Sequence, residues 1–421
     1  MMRKHMLLAA AAASAAATAA SADEVVVYGL AMPFLENVKT QNATNGVPSE
    51  RPALVPASAY TGINDDARWR ISSGTSNLGF RGSETLGPGL KVVWQMESAF
   101  QVDQNTGPGW SGRNSKIGLQ SPVWGEVNLG QWDTPYKFVS LQVNPLRAGY
   151  VFDYTPIMGN PGFGVPATTT QFLRTGGKAD AAFDRRQGNL IQYWSPRWAG
   201  FSFRGSWSTD EGRTDNTATT AGIRPQQFSA ALIYDAGPLS VRYAYDRHDD
   251  YFGLSALSTA GSSPAASFAN KSSKDEAHKL VVLWRIHDTR IAAEGEQIRY
   301  RNDETLAGGL REYKRSAWYA LVEQFFWNGA SSVWVAYGRA QDGSCQRVGG
   351  ASCSTRDLGA QYWNVGWIYR FSRRTEVFLT YYKVDNRASG TYSVQPIVNV
   401  AGVVAPGADT VGAGLGIAHY F

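Results

Sequence analysis

The sequence predicts an all-β fold, a 16-stranded antiparallel transmembrane β-barrel, and three observations carry that prediction. Short runs of alternating apolar and polar residues recur along the chain, as half-buried strands require. The connections between them alternate between tight turns and long polar loops, which is the build of an outer-membrane barrel. Aromatic residues are heavy (Trp 14, Tyr 20, Phe 18) while Cys is nearly absent (2). No stretch after the N-terminal segment holds 18 apolar residues in a row, so helical membrane spans are excluded.

In chain order, residues 1–22, "MMRKHMLLAAAAASAAATAASA", read as a secretory signal. Arg3 and Lys4 give a basic start, an Ala-rich run comes next, and Ala20-Ser21-Ala22 suits a signal peptidase. Cleavage before Asp23 would leave 421 minus 22, or 399, residues and lower the net charge from +5 to +3. Charges of both signs are interspersed, so there is no nucleic-acid footprint. Candidate strands fall at 23–33, 66–85, 90–102, 113–121, 124–132, 186–195, 199–208, 225–235, 239–247, 276–286, 290–301, 312–326, 331–340, 357–370, 375–386 and 411–421. Tight turns such as "GPG" (87–89), "AGP" (236–238) and "SRRT" (372–375) join alternate pairs, leaving 33–65 and 248–273 among the long loops. In "LKVVWQMESAF" (90–100), Leu90, Val92, Trp94 and Met96 share one face with Ser98 and Phe100, whereas Lys91, Gln95 and Glu97 share the other. That strand alone also fits a soluble sandwich. A barrel better explains the strand number, one-sided long loops and aromatics, because backbone groups in hydrocarbon must all be paired. The last strand, ending "GLGIAHYF" (414–421), must then pair with the first, and Phe421 sits at the seam.

The chain also resembles the general trimeric porins of Gram-negative bacteria. The final "HYF" carries the likeness, with "SNLGFRGSETLGPGLKVVWQMESAF" (76–100), "GRNSKIGLQSPVWGEVNLGQWDTPY" (112–136) and "RRQGNLIQYWSPRWAGFSFRGSWS" (185–208). The resemblance implies a homotrimeric passive diffusion channel, bounded by outer-membrane lipid and lipopolysaccharide, that carries small hydrophilic solutes and ions. It also implies that Phe421 is read by the outer-membrane assembly machinery, and that no cofactor is needed.

From Asp133 to about Asp184 the chain is rich in Gly and Pro and lacks strand alternation. A wide barrel needs an inward element to set its bore, so this third loop is the expected constriction. Its Tyr150, Phe152, Tyr154, Ile157 and Phe163 want a wall to pack on. Against it the resemblance places basic wall residues at Arg81, Arg113 and Arg186, with Lys91 and Lys116 as extensions. An Arg facing lipid near mid-membrane would cost about 2–4 kcal/mol, which favours the inside for strand arginines. Two departures from the family pattern are Asn77, where a further Arg is common, and Pro161-Gly162-Phe163-Gly164, where an acid is common. They leave Asp133 and Asp153 as the acidic loop residues, and the field is expected to be net positive and to favour small anions. Asp184 and Glu97 would offset it. Arg68 and Arg70 face lipid under strict alternation unless Ser73-Gly74 forms a bulge or marks the point where the strand has left the membrane.

Cys345 and Cys353, eight apart in one external loop of an exported chain, are expected to form a disulfide. The four His residues after the signal, His248, His278, His287 and His419, sit beside no nucleophile motif, so no enzymatic activity and no metal site is expected. The alternatives left open are a substrate-specific channel for small organic anions or sugars, marked by lumen-facing aromatics, and a structural or adhesive surface barrel with a blocked pore.

Overall fold

The computed structural model describes residues 24–102, 111–146, 152–163, 181–209, 213, 215, 224–251, 273–302, 309–394 and 404–421. The expected signal, 1–22, lies outside them, as do Tyr150 and Gly164 of the expected inward loop. The strands, in order, are β1 (Glu24–Ala31), β2 (Phe34–Gln41), β3 (Arg68–Ser72), β4 (Asn77–Gly87), β5 (Leu90–Ala99), β6 (Ser115–Ser121), β7 (Gly125–Asp133), β8 (Arg186–Trp194), β9 (Phe201–Ser208) and β10 (Gln226–Ala236). Next come β11 (Leu239–Asp249), β12 (Ser273–Ile286), β13 (Thr289–Asn302), β14 (Leu310–Phe326), β15 (Ser331–Ala340), β16 (Ser344–Arg347), β17 (Ser352–Cys353), β18 (Ala360–Arg370), β19 (Thr375–Asn386) and β20 (Asp409–Tyr420). Each pairs antiparallel with its neighbours. Taking β1 with β2 and β3 with β4 as single spans, and setting aside the small external hairpin β16–β17, the sheet is a closed barrel of 16 spans.

Alternation sets the two faces. Val25, Val27, Ile117, Leu280, Leu379 and Leu415 stand exposed on the outside, where they meet hydrocarbon. Trp327 and Phe371, beside tight turns, are exposed at the level where an aromatic girdle belongs. The turns obey local chemistry: Gly89 closes the β4–β5 hairpin at φ +72°, a conformation that side chains other than glycine resist.

The first two spans differ from the expectation. The segment Phe34–Gln41, expected to lie in a loop, continues the first span and pairs with β20 and β3. Its inward face carries Phe34 and Val38 as well as Glu36 and Thr40, so the apolar–polar contrast that betrays a strand is weak there. Met32-Pro33 interrupts the ladder, since proline has no N–H to give.

Against β20 the first span keeps one register, from Leu30↔Tyr420 to Phe34↔Gly416. On its other side Leu30 meets Asn77 and Phe34 meets Ser72, so four steps in one strand answer five in the other. The extra residue sits in the bulge Ser73–Ser76, held by the Met32 amide donating to Ser76 Oγ at 2.8 Å. The bulge resets the alternation. Trp69 and Ile71 face lipid, while Arg70 turns inward and pairs with Glu36 at 2.7 Å.

The seam closes at Gly29 and Phe421, which exchange two backbone hydrogen bonds of 3.0 and 3.1 Å. A Cβ on Gly29 would stand 2.4 Å from the Phe421 ring, so only glycine leaves the ring its place over the first strand.

Candidate functional site: the constricted lumen

The residues just after Asp133 turn the third loop into the barrel. Thr134 caps a single helical turn, Pro135–Phe138, its hydroxyl accepting from the Lys137 amide, and Pro135 suits the first position of that turn. The turn aims Tyr136 across the lumen, where its hydroxyl donates to Glu296 on β13 at 2.8 Å. Ser140 donates to Glu294 at 2.6 Å, and Arg290 donates to the carbonyls of Gln142 and Asn144 at 2.7 and 2.8 Å.

Further along, Phe152 sets its ring edge-on to Trp334 and Phe378, with centroids 6.1 and 5.4 Å apart. Arg315 on β14 holds the carbonyls of Ile157 and Asn160 and pairs with Glu296 at 2.9 Å, while Glu296 also accepts from the Gly159 amide. Lys279 reaches Asp184 at 3.4 Å. Each neutral hydrogen bond contributes about 0.5–1.5 kcal/mol net, and those to charged groups more. Together they fasten the described parts of the loop to the wall running from β12 through β15 to β19.

The opposite wall stays lined with cations. Arg81 lies on the inner face, in the row Val26–Arg81–Gln95–Lys116 across β1, β4, β5 and β6. Its guanidinium sits 5.2 Å above the Tyr28 ring, and no described carboxylate lies within ion-pair reach. Arg113 pairs with Glu97 at 2.5 Å, and Glu97 also accepts from the Tyr28 hydroxyl at 3.0 Å. Arg186 donates to Asn114 at 2.6 Å and pairs with Asp133 at 3.4 Å, where Lys137 joins at 3.1 Å. Arg81, Arg113, Arg186 and Lys137 against Glu97 and Asp133 is four charges minus two, a net of +2.

Several expected residues occupy other positions. Asp133 is not on the loop: it closes β7, opposite Arg186 in the register, and two cations hold it. Asp153 is on the loop but buried, accepting from the Thr155 amide at 2.9 Å and from its hydroxyl, so it presents no charge to the opening. Burial pushes its carboxyl up to about 7. Lys91 lies beside the tight turn at Gly87–Leu90, four residues from the Arg81 partner Gln95, or about 13 Å along the strand. Lys116 faces inward but is neutralised by Glu126 and enclosed by Trp132 and Trp194. Cys345 and Cys353 face each other across β16–β17 in a disulfide. His248 is buried against Asp246 at 3.0 Å and stacked between Phe183 and Tyr251, while His278 and His419 meet Tyr243 and Thr375 at the outer surface.

Other functional residues escaped sequence reasoning. Alternation in "VVVYGL" and "FSFRGSW" does put Tyr28 and Arg204 inside. Nothing in the sequence ties Glu294, Glu296 or Arg315 to a loop more than a hundred residues upstream.

The profile of the Gram-negative porin family matches residues 8–389. The chain belongs to the Gram-negative porin family. This porin is 24% identical over 361 residues to outer membrane porin protein 32 of Delftia acidovorans, covering 85% of this chain and 88% of that one. It is 30% identical over 201 residues to an outer membrane porin protein of Bordetella pertussis, 44% of this chain and 43% of the other. Among solved structures, an anion-selective porin from Comamonas acidovorans superimposes with a TM-score of 0.68 at 20% identity, covering 94% of this chain and 99% of that chain. OmpT of Vibrio cholerae gives 0.58 at 15% identity, covering 96% and 99%. The protein is thus an outer-membrane porin, a passive diffusion channel.

Proposed function

We propose that this porin passes small hydrophilic anions in preference to cations, through an opening bounded by Arg81, Arg113 and Arg186 on one side and the third loop on the other. The observation that carries the reading is the uneven pairing of that opening. Its two carboxylates, Glu97 and Asp133, are each engaged by cations, whereas Arg81 has no described acidic partner. The loop's Asp153 is buried and its Asp184 is paired, so neither offsets the wall. A water-filled gap between low-dielectric walls magnifies such an excess. The relative from Comamonas acidovorans that superimposes on this chain is described as anion-selective, which is consistent with the reading.

The same reading includes a homotrimer, export through the signal at residues 1–22, and Phe421 as the residue that the assembly machinery reads. Planar-bilayer recording of the refolded protein tests it. Conductance in groups of three equal steps, with a Cl⁻-favouring reversal potential across a KCl gradient, is the expected result. A K⁺-favouring potential would overturn the charge assignment, and single isolated steps would overturn the trimer.

A further inference from the structure

On the tight-turn side of the third loop, the inner wall opens into a recess of about 720 Å³ whose lining carries three cations, Lys91, Arg204 and Arg242, against two acids, Glu126 and Asp235, with Phe138, Trp194 and Ile233 among its apolar residues. Cations and rings alternate across it. Lys116 Nζ lies 4.9 Å from the Trp132 ring and 3.8 Å from Trp194; the Arg204 guanidinium lies 4.3 Å from Trp194 and 3.4 Å from Phe138, which the loop's helical turn contributes.

The two cations differ in one respect. Lys116 is paired with Glu126, whose carboxylate also accepts from Gln120 and Asn128. Arg204 makes no hydrogen bond or ion pair with any described residue, although it is only partly exposed. Its flat faces lie against rings, and its edge, which bears the N–H donors in a fork, is left for something else. A guanidinium clamped in this way has little rotamer freedom left to lose, so a planar acceptor of two hydrogen bonds suits it. Lys91 adds a second cation with no described partner, and Phe138, Trp194 and Ile233 supply an apolar floor. Arg242, by contrast, is occupied with Val139 and Gln142 of the loop.

We infer that this recess is a binding site for small organic carboxylates with an aromatic or apolar body, the carboxylate on the Arg204 edge and the body against Phe138, Trp194 and Ile233. The inference rests on the anion-channel reading, since such a solute arrives through the lumen, and it specifies a substrate class for that channel. Bare inorganic anions use only half of the site.

The test titrates sodium benzoate into the refolded full chain in detergent, read by calorimetry and by tryptophan fluorescence. Saturable binding is expected, weakened about tenfold or more by Arg204→Gln and a few-fold by Lys91→Gln. Acetate, without the ring, and benzyl alcohol, without the charge, should each bind at least about tenfold more weakly. Because Phe138 ties Arg204 to the loop, Lys91→Gln and the ligand series decide the matter if Arg204→Gln does not refold. Absence of saturable benzoate binding overturns the inference, as does binding that these comparisons leave unchanged. A Cl⁻-favouring channel that ignores benzoate sinks only the inference, whereas a K⁺-favouring channel that binds benzoate through Arg204 sinks only the selectivity reading.

Discussion

Arg81, Arg113 and Arg186 hold the same charge in different company, and that difference decides what their removal does. Two unit charges about 8 Å apart in water interact by about 0.5 kcal/mol, with opposite sign for Cl⁻ and K⁺, so each charge lost should lower the Cl⁻/K⁺ permeability ratio roughly fivefold. Arg81→Gln takes the wall from +2 to +1 and disturbs no ion pair. Arg113→Gln also strands Glu97 next to Tyr28, and is expected to shift the reversal potential in the same direction while lowering thermal stability as well. Asp153 gives a pH signature. Its ordinary value is 3.8 and burial lifts it to about 7, so the folded protein binds a proton that the unfolded chain has already released. This group's contribution to stability is therefore full below pH about 4 and is lost as pH rises through 7. Asp153→Asn should gain thermal stability over the parent as pH rises from 5 to 8, and a gap that stays constant or closes would refute the assignment.

Two segments act as units. The bulge Ser73–Ser76 is a one-residue phase correction, and deleting Thr75 should undo it, sending Arg68 and Arg70 toward lipid at about 2–4 kcal/mol each if they lie near mid-membrane. Refolding yield, read as heat-modifiable migration on a gel, should collapse; a normal yield would mean that the register does not depend on the bulge. The third loop depends on Arg315, whose removal leaves Glu296 buried without its cation, a loss of about 3–5 kcal/mol. Arg315→Ala should loosen the loop, raising the size of neutral sugars admitted in liposome swelling, whereas an unchanged size limit would assign the loop's position to its aromatic contacts. Sequence alone located both segments but resolved neither. "RWRISSG" left two registers open because alternation carries no phase across an irregular stretch, and only the pairing of Ser72 with Phe34 selects one. The loop's Gly–Pro composition announced an inward segment, while the acids and bases that fasten it belong to β13 and β14 and could not be assigned to it by spacing.

At the level of the whole barrel, the number of spans and the lipid face were legible because apolar and aromatic residues recur at alternate positions in many of the strands. The charge map of the lumen was legible only in part: alternation puts Arg81 inside, while Arg113 and Arg186 rested on family likeness alone, and nothing in the sequence showed that two cations engage Asp133 or that Asp153 is buried. The seam has a kinetic meaning. Leu30 meets Tyr420, so the first span must find a partner nearly the whole chain away before the barrel closes. Contacts this distant are the slowest to form. Until then β1 is an open edge rich in valine, the kind of strand that pairs with strangers. Closure is thus the step at which a chain in transit is most exposed to aggregation, and the fit of Phe421 over Gly29 is the latch that ends the exposure.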